Sequence, residues 1–308
     1  MLTSFFSKSK PVIFLVVIVF MAFFFLIANA GAVFSSWSLE TISTKIGVLI
    51  CFLVSVWVLD FIAKKNELTK RSAFKIVIFA IFSVSFFAIL RDNQVIIANL
   101  FILLSLRRVI SLKSHKDIQK KIFDATFWVC IASLFYFWGI LFLIVVYSGI
   151  LLHTGGYFKN WLIPPVAILC VILLVSAFHI IVHGQFYSFG AWFQESSFDF
   201  TNYRNLGLLI PLSMILALTF WTLFYYLGLI QKASINARPT YSLVLLTLGV
   251  SLTVAVLSPE KTGSELIFFF VPLAIIISNY FENKKDKTFK EILLISLLIM
   301  PVLIPILF

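Results

Sequence analysis

A short turn formed by Arg91, Asp92 and Asn93 places a cation, a carboxylate and an amide between two apolar runs. Ionisable groups at a membrane edge cost free energy, so each is a candidate for function. Asn99 follows Asp92 by seven residues, which places both on one helical face. We expect a polar cavity on the outer side here, lined by Asp92, in which Arg91 and Asn99 bind substrate. The alternative is that Asp92 only caps the next helix.

A second polar turn, "LSPEKTGSE" at 257–265, contains Lys261. A lysine beside hydroxyl side chains and a helix N-terminus would suit a phosphate group. We therefore expect Lys261 to bind substrate. The alternative is an ordinary polar turn in which Ser264 caps the following helix.

The segment 183–204 combines eight aromatic residues with Glu195, Asp199 and Arg204. Aromatic residues gather at membrane interfaces without any ligand. The same composition would suit a lid over a lipid or a carbohydrate, with Glu195, Asp199 and Arg204 contacting the substrate. Belt and lid both remain open from the sequence.

Signatures of cofactor chemistry are missing from the sequence. No Walker loop, nucleophile elbow, His-Glu-x-x-His or dinucleotide glycine pattern occurs, and no cofactor is predicted. His179 and His183 have the spacing of a helical metal pair, but no third ligand is close in sequence. We predict no metal site.

The elements that must position these residues are membrane helices. Of the 308 residues, 61% are hydrophobic and 12% are charged, against about 45–50% and about 25% in soluble domains. The alternation of a β-barrel is absent. The predicted fold is an all-α polytopic transmembrane bundle, a single domain over 1–308 with an N-terminal module (1–182), an outer loop (183–205) and C-terminal helices (206–308). Its apolar runs are 11–32, 46–63, 74–90, 94–106, 122–138, 139–152, 161–182, 206–230, 240–257, 266–281 and 292–308.

Charge placement predicts the topology of these eleven runs. If Gly139 divides 122–152 into two spans, 20 of the 24 basic residues fall on one side, including Lys284 and Lys285. The N-terminus is then cytoplasmic. The net charge of +11 is a topology signal that also attracts anionic lipids, and no nucleic-acid partner is predicted. Asp60 is expected to pair with Lys64, and Asp124 to have Lys120 as its basic neighbour.

The run "RDNQVIIANLFILLSLRRVISLKSHKDIQKKIFDATFWVCIASLFYFWGILFLIVV" and the tail "LSPEKTGSELIFFFVPLAIIISNYFENKK" resemble the GT-C membrane glycosyltransferases. The resemblance implies a GT-C-like N-terminal module over 1–182 and sugar transfer from a polyprenyl-phosphate carrier at the outer face. It implies an acidic base, at Glu40 in the first outer loop or at Asp92, and a carrier phosphate held by Lys261 and Arg91. The first outer loop, about 33–45, departs from the family pattern because Glu40 is its only acid. The chain also looks similar to an uncharacterised family of flavobacterial inner-membrane proteins.

We therefore expect a multi-pass protein of the bacterial inner membrane that handles a lipid-linked substrate, with glycosyl transfer as the candidate activity. A GT-C-like scaffold without activity fits the same residues. One alternative is a non-enzymatic subunit or scaffold of an envelope assembly or secretion complex that docks a membrane or periplasmic protein. A third is a lipid or small-solute transporter, although no internal repeat is evident.

Overall fold

The computed structural model describes residues 2–35, 38–155, 157–283 and 287–307, and within these ranges all regular structure is helical. The α-helices are α1 (Leu2–Phe6), α2 (Pro11–Ser35), α3 (Leu39–Lys65), α4 (Phe74–Ser85), α5 (Phe87–Arg91), α6 (Asn93–Ile110), α7 (Ile118–Phe135), α8 (Leu143–Thr154), α9 (Phe158–Trp161), α10 (Ile163–His183), α11 (Phe189–Trp192), α12 (Leu206–Lys232), α13 (Arg238–Leu257), α14 (Ile267–Asn283) and α15 (Lys287–Leu307). Short 3-10 helices cover Ser111–Ser114, Phe137–Phe142, Thr201–Arg204 and Ser264–Leu266.

The prediction of a multi-pass helical membrane protein is confirmed in its general form. Each of the predicted apolar runs coincides with a helix or a helix pair. In the described part of the chain, eight stretches are long and apolar enough to cross a bilayer: Pro11–Gly31, Leu39–Lys65, Asn93–Ser114, Phe137–Thr154, Phe158–His183, Leu206–Lys232, Arg238–Leu257 and Ser264–Asn283. The other runs fall on α4 with α5, on α7 and on α15, so the count of eleven stays a prediction.

The apolar run 122–152 is divided into two helices, as predicted. Helix α7 ends at Phe135, and Tyr136 has an extended backbone with φ −143° and ψ 103°. A 3-10 helix over Phe137–Phe142 then leads into α8. Aromatic residues and glycine have low helix propensity, which explains why the break falls in "FYFWG".

Helix α14 forms the centre of the bundle. A helix that is apolar on every side is stable only when it is surrounded, and every residue from Gly263 to Phe281 is buried. Its neighbours are α4, α12 and α13. Helix α10, by contrast, buries only Pro164, Ala167 and Val171 and lies at the periphery.

The loops gather at two opposite ends of the bundle. At one, called the basic end, Asn279 Nδ2 donates to Leu68 O (2.8 Å) and Tyr241 OH to Glu67 O (3.2 Å). At the other, called the acidic end, the turn after α5 contacts the turn after α13. The loop after α3 therefore lies at the same end as the start of α13 and the end of α14. Lys284 and Lys285 lie outside the described residues.

Two carboxylates at the basic end form ion pairs. Asp60 contacts Lys64 Nζ at 2.6 Å, as predicted, and also Lys75 Nζ at 3.2 Å. Asp124 pairs with Arg108 at 2.9 Å and not with Lys120. The correction follows from packing, because α7 lies along α6 and Lys120 is exposed.

Candidate functional site

Asp92 both begins α6 and joins it to the turn after α13. Its Oδ1 accepts hydrogen bonds from the backbone N–H groups of Gln94 and Val95, each at 3.1 Å. These bonds make Asp92 the N-cap of α6, as its residue type favours. Its Oδ2 accepts a hydrogen bond of 2.9 Å from Ser264 Oγ. Capping therefore leaves the second carboxylate oxygen facing a polar neighbour.

Asp92 lines a cavity of about 460 Å³ at the acidic end, called the acidic-end cavity. Three of its lining residues are carboxylates, namely Asp92, Glu195 and Glu260, and no lysine or arginine of the described chain lines it. The remaining lining residues are Gln94, Val95, Tyr136, Gln194, Ser258, Pro259, Thr262 and Ser264. A wall of carboxylates, amides and hydroxyls suits hydroxyl-bearing or cationic groups and repels a bare phosphate.

The loop 183–205 closes one side of this cavity. Trp192 Nε1 donates to Ser133 O at 2.6 Å, and the rings of Trp192 and Phe193 pack on Phe137 at 4.8 and 5.0 Å. Farther along the loop, the hydroxyl of Tyr203 donates to the buried carboxylate of Glu265. Burial, with the Glu265 charge, raises the pKa of Tyr203 above its usual range. The loop is thus anchored at both sides of Gln194 and Glu195, its two cavity-lining residues.

Lys261 is buried, with 1% of its surface exposed, but its ammonium group does not line the cavity. Nζ donates to Val256 O (2.7 Å) and Ser258 O (3.0 Å), so it satisfies carbonyls at the C-terminus of α13. Nζ also lies 4.7 Å from the centre of the Phe200 ring. Burial lowers the pKa of Lys261, and the nearby Glu265 opposes that shift.

Arg91 and Asn93 lead from the cavity toward a second feature. Arg91 Nε donates to Ala28 O on α2 at 3.2 Å, and Lys45 Nζ on α3 donates to Asn93 Oδ1 at 2.7 Å. Lys45 and Asn29 lie in the wall of a groove between α2 and α3, of about 610 Å³, called the α2–α3 groove. Its other walls are apolar: Phe23, Phe25, Leu26, Ile27, Ala30, Ile42, Ile46 and Leu49.

The remaining predicted site residues lie outside the acidic-end cavity. Glu40 is exposed in the first turn of α3. Asn99 is fully buried in the bundle, and neither its Oδ1 nor its Nδ2 has a hydrogen-bond partner among the described residues. Asp199 and Arg204 are exposed, and a hydrogen bond from the Thr201 backbone N–H lowers the pKa of Asp199. Of the predicted residues, the cavity brings together Asp92 and Glu195.

The profile of one protein family matches residues 1–306, which is nearly the whole chain. The chain belongs to the family of unknown function DUF6427. No curated protein and no solved structure is a significant match. The resemblance to GT-C glycosyltransferases thus stays a prediction.

Several residues around the acidic-end cavity and the α2–α3 groove of this DUF6427 member had no predicted substrate or catalytic role. Lys45 carried a signal, because it is one of four basic residues on the side predicted to be poor in positive charge. Ser264 was expected as an N-cap at most, but its hydroxyl contacts Asp92 and the N-cap position is Gly263. Gln94, in the first turn of α6, and Gln194, in the outer loop, had no signal, since uncharged amides are common at such positions.

Proposed function

We propose that this protein binds a polyprenyl-phosphate-linked substrate at the acidic end and that glycosyl transfer from the carrier is its activity. One observation carries the proposal. Three consecutive residues separate an apolar groove from a polar cavity: Arg91 contacts α2, Asn93 contacts Lys45 of the groove wall, and Asp92 faces the cavity. Consecutive Cα atoms are about 3.8 Å apart, so all three side chains leave the backbone within about 8 Å.

The two features fit the two halves of such a substrate. Phe23, Leu26 and Ile46 of the α2–α3 groove are 57%, 61% and 54% exposed, so the groove faces lipid and suits a prenyl chain. Lys45 and Arg91 stand at its polar margin, where they would hold the phosphate. The sugar hydroxyls would then occupy the acidic-end cavity, whose carboxylates accept hydrogen bonds.

Asp92 is the candidate general base in this scheme: it would take the proton of an acceptor hydroxyl as that oxygen bonds to the sugar C1. The bond from C1 to the carrier oxygen would break, with polyprenyl phosphate as the leaving group. Asp92 Oδ2 is at the cavity and is oriented by Ser264. Glu40 is exposed and does not line the cavity, which makes it the weaker candidate. Lys261, whose ammonium is bound to two carbonyls, serves to shape the turn that carries Ser264.

The proposal includes the topology that places this site outside. With eleven spans and a cytoplasmic N-terminus, the acidic end faces the periplasm of a bacterial inner membrane, where polyprenyl-linked sugars are used by enzymes of the GT-C kind. The positive-inside bias of the basic residues supports that orientation.

Binding and transfer can be tested with the full chain in lipid nanodiscs. We expect the protein to bind a radiolabelled polyprenyl-phosphate hexose and Lys45→Gln to weaken binding about 10- to 100-fold, since a hydrogen bond to a charged group is lost. Asp92→Asn keeps an N-cap residue and should slow transfer of the label about 10²- to 10⁴-fold while binding persists.

Glu40→Gln is the control, because it removes an acid of the same end that lies outside the cavity. Wild-type protein that binds neither the carrier nor its hexose form would refute the proposal. If Asp92→Asn transfers the label at the wild-type rate, Asp92 is not the general base. If Lys45→Gln binds the carrier as tightly as the wild type, the carrier does not bind in the α2–α3 groove.

A second candidate function is that of a docking subunit for another envelope protein. The outer loop exposes Phe186 (80%), Phe193 (62%) and Phe198 (67%), which is more apolar surface than an anchored loop needs. Copurification from native membranes would separate the two functions. A stoichiometric partner chain lost in Phe186→Ser and Phe198→Ser variants would favour docking.

A further inference from the structure

A second cavity, of about 1080 Å³, lies at the basic end, opposite the proposed carrier site. It is called the basic-end cavity. Its cations are Lys64, Lys65, Lys70, Arg71 and Lys232, and its carboxylates are Asp60 and Glu67. The lining therefore has a positive excess, and an anion would be attracted to it.

Three of these five cations form neither an ion pair nor a cation–π contact with a described residue. Lys64 forms an ion pair with Asp60, and Lys65 lies 5.2 Å from the centre of the Phe61 ring. Lys70, Arg71 and Lys232 form no ion pair with any described residue.

The backbone that carries Lys70 and Arg71 is nevertheless fixed. Lys70 N donates to Glu282 Oε2 at 2.7 Å, and Arg71 O accepts a hydrogen bond from Ser9 N at 3.2 Å. The cavity thus presents positive side chains from an ordered loop, which lowers the entropy lost when an anion binds.

A buried hydroxyl gives a second, independent sign of a ligand. Thr69 lines the cavity and is only 8% exposed, and its Oγ1 has no hydrogen-bond partner among the described residues. Buried polar groups are nearly always paired. The unpaired Thr69 hydroxyl is therefore free to turn toward a polar group that fills the cavity.

One part of the wall is apolar, whereas Ser9, Ser234, Tyr241, Asn279 and Asn283 supply further polar groups. Phe61 and Leu229 line the apolar part together with Trp57, which is 58% exposed on the surface of α3. Trp57 lies about two turns before the end of α3, and tryptophan is enriched at the membrane interface. A soluble anion would gain nothing from this wall, whereas an amphiphile would place its chains along it.

We propose that the basic-end cavity binds the phosphate headgroup of an anionic phospholipid, with Lys70, Arg71 and Lys232 as cations and Thr69 as a hydrogen-bond partner. The site is independent of the function proposed for the acidic end. The bound lipid would place its phosphodiester at the membrane interface and its acyl chains beside Trp57 and Leu229.

Native mass spectrometry of the full chain, with phosphatidylglycerol and phosphatidylcholine as probes, tests this site. We expect retention of phosphatidylglycerol over phosphatidylcholine. The pair Lys70→Gln and Lys232→Gln should weaken phosphatidylglycerol binding about thirtyfold, at about fivefold for each lysine near the membrane surface. Lys120→Gln with Lys159→Gln removes equal charge from exposed positions outside the cavity and should change binding less than about threefold.

Thr69→Val supplies a variant whose folding is not at risk, because it replaces an unpaired hydroxyl by a methyl group of the same shape. Weaker phosphatidylglycerol binding by this variant would support the site. Equal losses in the two lysine pairs would overturn it, since general surface attraction would then suffice. Saturation of the site by soluble glycerol 3-phosphate as tightly as by the lipid would also overturn it.

Discussion

Asp92 shows how one side chain can serve the backbone and a site together. Oδ1 accepts the two backbone N–H groups of α6, and Oδ2 accepts the Ser264 hydroxyl in the wall of the acidic-end cavity. Capping therefore uses one carboxylate oxygen and leaves the other at the cavity wall. A carboxylate whose orientation is fixed by its own helix is pre-organised for a substrate, because no rotamer has to be selected on binding.

The side-chain amide of Asn99 forms no hydrogen bond with any described residue. The variant Asn99→Leu tests whether this unpaired amide costs stability. The amide is fully buried without a partner, a state that costs about 1–3 kcal/mol. We expect Asn99→Leu to raise the midpoint of thermal unfolding in detergent. Asn279→Leu is the matched control and should lower it, since Asn279 Nδ2 bonds Leu68 O and Ile275 O. A destabilised Asn99→Leu variant would contradict the expectation.

The buried charge cluster around Asp60 makes a second prediction at this scale. Lys75 is fully buried, 3.2 Å from Asp60 and bonded to Ser72 O at 2.8 Å. Asp60→Asn leaves that ammonium without its counter-charge and should cost about 3–5 kcal/mol of unfolding free energy. Adding Lys75→Met should recover most of the loss. Chemical unfolding of both variants gives the measurement, and a double variant no more stable than the single one would disprove the pairing.

At the scale of elements, the contact between α6 and α8 depends on a missing side chain. A Cβ on Gly149 would lie 2.4 Å from Val109 Cγ1, and a β-branched side chain cannot easily move away. Gly149→Ala should therefore separate the two helices and cost about 1–3 kcal/mol. Gly249→Ala meets nothing within 4 Å and should gain up to about 1 kcal/mol from helix propensity. Thermal unfolding of the two variants compares them, and equal stabilities would mean that the contact is loose.

Helices were predictable in this chain, whereas contacts between their ends were not. The positions of the helices follow from the lengths of apolar runs. The break near Gly139 followed from the distribution of basic residues and from the low helix propensity of glycine. The direction of the Lys261 side chain depends on the carbonyls of Val256 and Ser258 and on the Phe200 ring from a distant loop. Such choices are decided by tertiary contacts. The sequence therefore identified the turns of the site better than the atoms that face it.

At the scale of the whole molecule, the two ends should lie on opposite sides of the membrane. Ser196 and Ser234 are exposed at the acidic and the basic end. In a background without the three native cysteines, a membrane-impermeant maleimide should label Ser196→Cys in intact cells with a permeable outer membrane. It should label Ser234→Cys only after lysis. Labelling of both from one side would be incompatible with eleven spans.

The enclosure of α14 has a consequence for how the protein is made. Its neighbours α4, α12 and α13 all precede it in the chain, and α4 is synthesised about 190 residues earlier, or about 10–40 s at ordinary rates of synthesis. During that interval the residues of the earlier helices that pack on α14 lack their partner. The core is therefore completed only when the penultimate helix has been made.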